Sequence, residues 1–235
     1  NLPDHAHTPH HVVFYFDFGD PYAYIASRRV PRAAREAEAA LTLEPVDARG
    51  LLEGRAAVGA CPVEVTRDAY WRQVEQAASR VGIRLARPAR FPFDSKLLLE
   101  TCLFVKERSG QEAMAAVADA LWRAVWQEGR DPESEDTALA AARAVALPER
   151  ALRESLGDPR LPEVVARLTR RAALRGVRRV PTVQLEDRLF MALEGAFEAE
   201  RILRGERPMP GEAGTDRRDD DSGAGGSIPD WTFSG

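Results

Sequence analysis

Histidine is missing from the body of this chain: all four, His5, His7, His10 and His11, fall within the first eleven of 235 residues. Imidazole triads and zinc-hydrolase motifs are thereby excluded beyond Val12, and no metal site is expected there. Cysteine is almost as scarce. Cys61 and Cys102 are neither a CxxC pair nor at a ligand spacing, so thiol–disulfide exchange with protein partners is not expected. No apolar run reaches the eighteen residues a membrane span needs, and Asn1 to His11 lacks the basic-then-apolar order of an export signal. The expectation is a soluble cytoplasmic protein. An excess of one charge is missing too, since 33 Lys and Arg stand against 37 Asp and Glu. The net charge of −4 lies wholly beyond Gly205, where seven acids face three arginines. A neutral body has no general attraction to nucleic acid or anionic lipid, so neither is expected as a partner.

What remains is 44% hydrophobic, enough to bury a core. Val12 to Phe18 is a run of aromatic and β-branched residues, ended by Gly19-Asp20-Pro21, which opens a helix. Tyr22 to Ala40 carries apolar residues at helical spacing, with a kink expected at Pro31, and Leu41 to Val46 reads as a second strand. Helical patterns then follow over 66–81, 95–109, 111–128, 134–146, 148–156 and 162–175. Thr182–Leu185 and Arg188–Met191 read as a hairpin around Glu186-Asp187, followed by a helix over 194–204.

A βαβ start and a ββα end are each too small to bury a sheet alone, so they are expected to form one sheet with the helices inserted between them. The fold class is α/β, a thioredoxin-like fold with an inserted helical domain. Residues 12–50 and 177–205 would form the thioredoxin-like part and 51–176 the helical insert. Residues 1–11 read as a flexible His-containing leader, with a metal-binding tract as the alternative. Residues 206–235 read as a flexible acidic, Gly-rich tail, whose Trp231 and Phe233 form a candidate docking end.

Four stretches resemble the DsbA-like branch that holds 2-hydroxychromene-2-carboxylate isomerases and kappa-class glutathione transferases. They are Phe16-Asp-Phe-Gly-Asp-Pro-Tyr22, Phe91-Pro-Phe-Asp-Ser95, Leu121-Trp-Arg-Ala-Val-Trp-Gln-Glu-Gly-Arg-Asp131 and Val177-Arg-Arg-Val-Pro-Thr182. The resemblance covers roughly Val12 to Leu203 and implies that Pro181 is a cis-proline beside the active site, with Val180 offering its backbone to a bound peptide. The family also implies a homodimer.

The resemblance also marks departures. Where the family has a serine whose hydroxyl donates to the glutathione sulfur, this chain has Asp20, and a carboxylate there would raise a thiol pKa. Asp20 reads either as an N-cap with Pro21 at N1, or as an acid–base group at the cleft mouth. Asp94 replaces a common asparagine and reads either as the cap of the next helix or as a second carboxylate sharing a proton with Asp20. Met191-Ala-Leu-Glu194 aligns with the family's Trp-Gly-x-Asp, leaving Glu194 to hold an ammonium group or to serve the helix dipole. Tyr22 and Phe93 are the expected aromatic cleft walls, and Arg178 and Arg179 are placed to hold a substrate carboxylate or neutralise Asp20.

The expected activity is therefore that of a small-molecule isomerase or cyclase using Asp20, with Asp94, on an aromatic or polyketide-like compound. No cofactor is required on this reading. Two alternatives stand beside it: a glutathione-dependent isomerase or transferase of the kappa type, and a non-catalytic ligand-binding protein.

Overall fold

In a computed structural model, residues 11–51 and 64–206 are described, with side chains from residue 68 onward in the second segment. The leader with its first three histidines, Cys61, and the tail with Trp231 and Phe233 lie outside the described residues.

The first strand, β1 (His11–Phe16), is central. It pairs in parallel with β2 (Ala40–Pro45) and antiparallel with β3 (Thr182–Leu185), which continues the sheet into β4 (Arg188–Met191). The order is β2-β1-β3-β4. A strand covered on both faces is apolar on both, and β1 shows the two sets by its period of two. Val12, Phe14 and Phe16 point into the large core, while Val13 and Tyr15 point to a smaller cluster with Val46, Ala172, Val177 and Val180.

The helix expected over Tyr22 to Ala40 is two: α1 (Pro21–Ser27) and α2 (Val30–Glu36), the break falling just before Pro31, which takes an early position in α2. Between β2 and β3 run α3 (Glu64–Arg80), α4 (Lys96–Trp126), α5 (Glu135–Ala142), α6 (Glu149–Ser155) and α7 (Arg160–Leu174). The two helices expected on either side of Gly110 are one element, α4, broken at Gly110, whose φ of 85° only glycine adopts freely. The last helix, α8 (Ala192–Leu203), packs on β3 and β4. Gly195 makes that approach feasible, since a Cβ there would come within 2.6 Å of the Phe190 backbone.

The helices and the sheet share one apolar cluster. Trp122 of α4 lies 4.6 Å from the Phe16 ring and 5.2 Å from Phe18. Trp126 donates its indole N–H to the Phe18 carbonyl at 3.0 Å, so the one polar atom of a buried ring is satisfied. Buried acids lock the periphery: Glu200 of α8 takes a two-pronged contact from Arg29 at 2.6 and 2.9 Å, and Glu44 of β2 pairs with Arg171 of α7. No described helix is long and apolar enough to cross a membrane.

Candidate active site

Strand β1 ends at Phe16, and the next turn delivers Asp20 to the N-terminus of α1. Asp20 is the N-cap: its Oδ1 accepts the Tyr22 N–H at 2.7 Å and the Ala23 N–H at 3.3 Å. Both cap bonds use the same oxygen, and among the described residues Oδ2 has no hydrogen-bond partner. Asp20 lines a cleft of about 820 Å³. Opposite it, the Val180–Pro181 peptide is cis, as the motif implied, and both residues line the cleft with Arg178 and Arg179. Thr182 closes the loop by donating its hydroxyl to the Arg179 carbonyl at 2.7 Å.

The third wall is the start of α8, with Ala192, Leu193, Glu194 and Phe197. Ala192 holds a left-handed φ of 63° at the strand-to-helix junction, a conformation disfavoured for any residue with a Cβ. The fourth wall is a face of α3. Tyr70, Gln73, Ala77 and Arg80, joined by Gln76, repeat at three and four residues and so share one side of that helix. Tyr70 stacks on Phe91 at 5.9 Å and 14°, and meets Tyr22 edge-on at 6.1 Å.

Burial holds both Asp17 and Asp20 above the usual carboxylate range, and of the two only Asp20 lines the cleft. Burial against the cleft wall pushes its carboxyl up to about 7; the Tyr22 and Ala23 N–H groups and Arg179 pull it down, while Asp17 adds a like charge. A carboxyl that titrates near neutrality can either donate or accept a proton. Tyr22 is held in its neutral phenol form more strongly than usual, chiefly by burial and then by Asp20 and Glu194. Among the described residues no cluster of His, Cys, Asp and Glu could hold a metal ion. Cys102 is buried in the core, and burial pushes its thiol far above the normal range.

Of the side chains expected from sequence, Asp20, Tyr22, Arg179, Val180, Pro181 and Glu194 come together on this cleft. Two do not. Phe93 is only 5% exposed and packs 6.0 Å from Trp126, so it belongs to the aromatic core and is no cleft wall. Asp94 is exposed and accepts the Lys96 N–H at 3.0 Å, while its own N–H goes to Glu133. The expected Asp20–Asp94 pair is therefore not formed, because the turn before α4 buries the ring and sends the acid outward. The acid behind Asp20 is Asp17, 3% exposed, which the sequence reading passed over. The α3 face was missed as well, because glutamines and an arginine at helical spacing read as a solvated side.

A family model described as a DSBA-like thioredoxin domain matches residues 11–204. The 2-hydroxychromene-2-carboxylate isomerase of Sphingobium xenophagum is 26% identical over 181 residues, covering 76% of this chain and 90% of that protein. The Pseudomonas putida protein of the same name is 26% identical over 195 residues, covering 82% and 93%. A solved structure of 2-hydroxychromene-2-carboxylate isomerase superposes with a TM-score of 0.74 at 23% identity, over 83% of this chain and 95% of that one.

Proposed function

The chain belongs to the DSBA-like thioredoxin domain family, and from that premise we propose that it is a small-molecule isomerase or cyclase in which Asp20 moves the proton. One observation carries this reading. Asp20 uses one carboxyl oxygen to cap α1 and turns the residue toward the cleft, where burial brings its ionisation close to neutrality. A carboxylic acid there can protonate a leaving or ring oxygen, and the resulting carboxylate can remove a proton from the neighbouring carbon. Arg179 supplies the charge that steadies the carboxylate once it forms. Tyr22 and Tyr70 offer adjoining aromatic faces, which suit an aromatic or polyketide-like substrate.

Glutathione is not required on this reading. A carboxylate at position 20 opposes a thiolate, and Met191-Ala-Leu-Glu194 departs from the sequence that the family resemblance associates with glutathione. The glutathione-dependent alternative draws on the cis Val180–Pro181 edge, whose backbone lines the cleft. The enzyme is further proposed to act in the cytoplasm as a homodimer on a small molecule, without nucleic acid or membrane. The neutral body supports the last point, and the dimer is an implication of the family resemblance.

The test is turnover of 2-hydroxychromene-2-carboxylate and of related aromatic carboxylates, with and without glutathione, by the wild type and Asp20→Asn. Turnover that is independent of glutathione and falls about a hundredfold or more in the Asn variant supports the proposal. Turnover only with glutathione favours the second reading. Equal rates in both proteins would sink the role of Asp20, and tight ligand binding without turnover would point to a binding protein.

A further inference from the structure

The α3 wall of the cleft has two unlike ends. Tyr70, Gln73, Ala77 and Arg80 fall on one side of that helix, and ten residues at about 1.5 Å each set the Tyr70 and Arg80 backbones about 15 Å apart along its axis. The Tyr70 end is the reacting end. Its ring meets Tyr22 edge-on at 6.1 Å, and the Tyr22 N–H is bonded to Asp20. Arg80 stands at the other end. A long side chain on a helix leans toward the helix start, which shortens the reach from Arg80 toward the Tyr70 ring.

Three arginines line the cleft against two acids, Asp20 and Glu194, so the cleft as a whole favours an anion. Two of the three are engaged within the protein. Arg178 donates from Nη1 to the Ala173 carbonyl of α7 at 2.8 Å, and Arg179 offsets the charge of Asp20. Among the described residues Arg80 makes no hydrogen bond and no ion pair, and Gln73 and Gln76, two turns and one turn before it, have no hydrogen-bond partner either. The end of α3 also closes without Arg80. The Val81 and Ile83 N–H groups go to the Ala78 carbonyl at 3.2 and 2.9 Å and the Gly82 N–H to the Ser79 carbonyl at 3.1 Å, with Gly82 at a φ of 67°.

We infer that Arg80 is a specificity-determining residue of this cleft: it holds a carboxylate at the far end of an elongated aromatic acid whose reacting ring lies at Tyr70 and Tyr22, with Gln73 and Gln76 bonding the substrate's oxygens between. This rests on the reading of the cleft as the active site, since Tyr22 and Asp20 define the reacting end. 2-Hydroxychromene-2-carboxylate carries its one carboxylate on the carbon that also bears the hydroxyl, so with that carbon at Asp20 it meets Arg179 and leaves Arg80 unused. A substrate with a second, remote carboxylate uses both arginines. A guanidinium matches a carboxylate with two parallel N–H bonds, and in an open cleft such a pair separates ligands severalfold rather than by orders of magnitude.

The experiment titrates the full chain calorimetrically with two probes: biphenyl-4-carboxylate, charged at one end, and biphenyl-4,4′-dicarboxylate, charged at both. The wild type is expected to bind the dicarboxylate about three- to tenfold more tightly than the monocarboxylate, and Arg80→Gln to bind the two alike. Arg72 lies on the opposite side of α3 and outside the cleft lining, so Arg72→Gln removes the same charge away from the site and should keep the wild-type preference. Equal affinities for the two probes in the wild type overturn the inference, as does a preference that survives in Arg80→Gln or is lost as fully in Arg72→Gln. Binding is read without turnover, so the two readings fail separately. If the preference depends on Arg80 while turnover never depends on Asp20, the distal carboxylate site stands and the acid–base role falls.

Discussion

The Tyr22 N–H meets Asp20 Oδ1 at 2.7 Å, so the residue that begins helix α1 is also the titratable group on the cleft. The cap bonds use Oδ1 of that carboxyl, which leaves Oδ2 for the proposed acid–base role. That division makes it feasible to separate the two roles by substitution, because asparagine caps nearly as well as aspartate but does not titrate.

Stability against pH gives the first prediction. The unfolded chain releases the Asp20 proton near 3.8, while the folded chain holds it to about 7. Between those values the native state binds more protons than the unfolded state, so raising the pH lowers stability, and the loss is complete above the folded value. In Asp20→Asn this loss disappears. Urea unfolding should show the two proteins within about 1 kcal/mol of each other at pH 4, with the variant gaining steadily on the wild type up to pH 8. Parallel pH curves would show that Asp20 ionises like a surface carboxylate.

Asp94 should behave differently. It is exposed and serves the first turn of α4 through the Lys96 N–H, so Asp94→Ala is expected to cost about 0.5–1 kcal/mol in thermal or urea unfolding. Turnover should be unchanged. A loss of activity at full occupancy of the folded state would return Asp94 to the mechanism.

Tyr70 tests the α3 wall. Its ring lies between Phe91 and Tyr22, and Tyr70→Ala removes both contacts from the cleft lining. A stacked pair between the Tyr70 ring and a flat aromatic substrate would contribute about 0.5–1.5 kcal/mol, so its loss should raise KM about two- to tenfold with a smaller effect on kcat. An equal fall in kcat and kcat/KM, with KM unchanged, would mean that the ring acts on the transition state instead.

Ala192 offers a gain of stability. A Cβ at φ 63° costs about 1–2 kcal/mol relative to glycine, and the greater freedom of glycine in the unfolded chain offsets about 0.4–1 kcal/mol of that. Ala192→Gly should therefore leave stability unchanged or raise it by up to about 1.6 kcal/mol, measured as the urea midpoint at constant m. The usual direction for a glycine at a helix start is the opposite, so a clear destabilisation would mean that the Ala192 methyl group packs well enough on the cleft wall to outweigh its strain.

Much of this architecture is local in origin and so was legible in the chain. The Val12-to-Phe18 run, the Asp20-Pro21 helix start, the break at Gly110 and the hairpin over 182–191 follow from residue type and period, and the structure shows each of them within a few residues. The cis peptide before Pro181 came from the resemblance, which the family match supports. Six of eight expected side chains share the cleft for a related reason: their places are fixed by turns next to the strands that carry them.

What the sequence could not decide was the direction in which side chains far apart in the chain face one another. Phe93 and Asp94 are neighbours, and nothing in their order says which of them enters the cleft; the aromatic core around Trp126 claims the ring, and neither lines it. Tyr70, Gln73 and Arg80 are read along the chain as one face of a helix, and only the fold brings that face to the same cleft as Pro181. The charge state of Asp20 belongs to the same class. The residue type supplies a carboxyl that ionises near 3.8, and only burial, with Asp17 behind it and Arg179 before it, moves that ionisation to about 7. Period and turn chemistry act over a few residues and can be read along the chain, whereas desolvation and long-range packing depend on which distant segments close around a group.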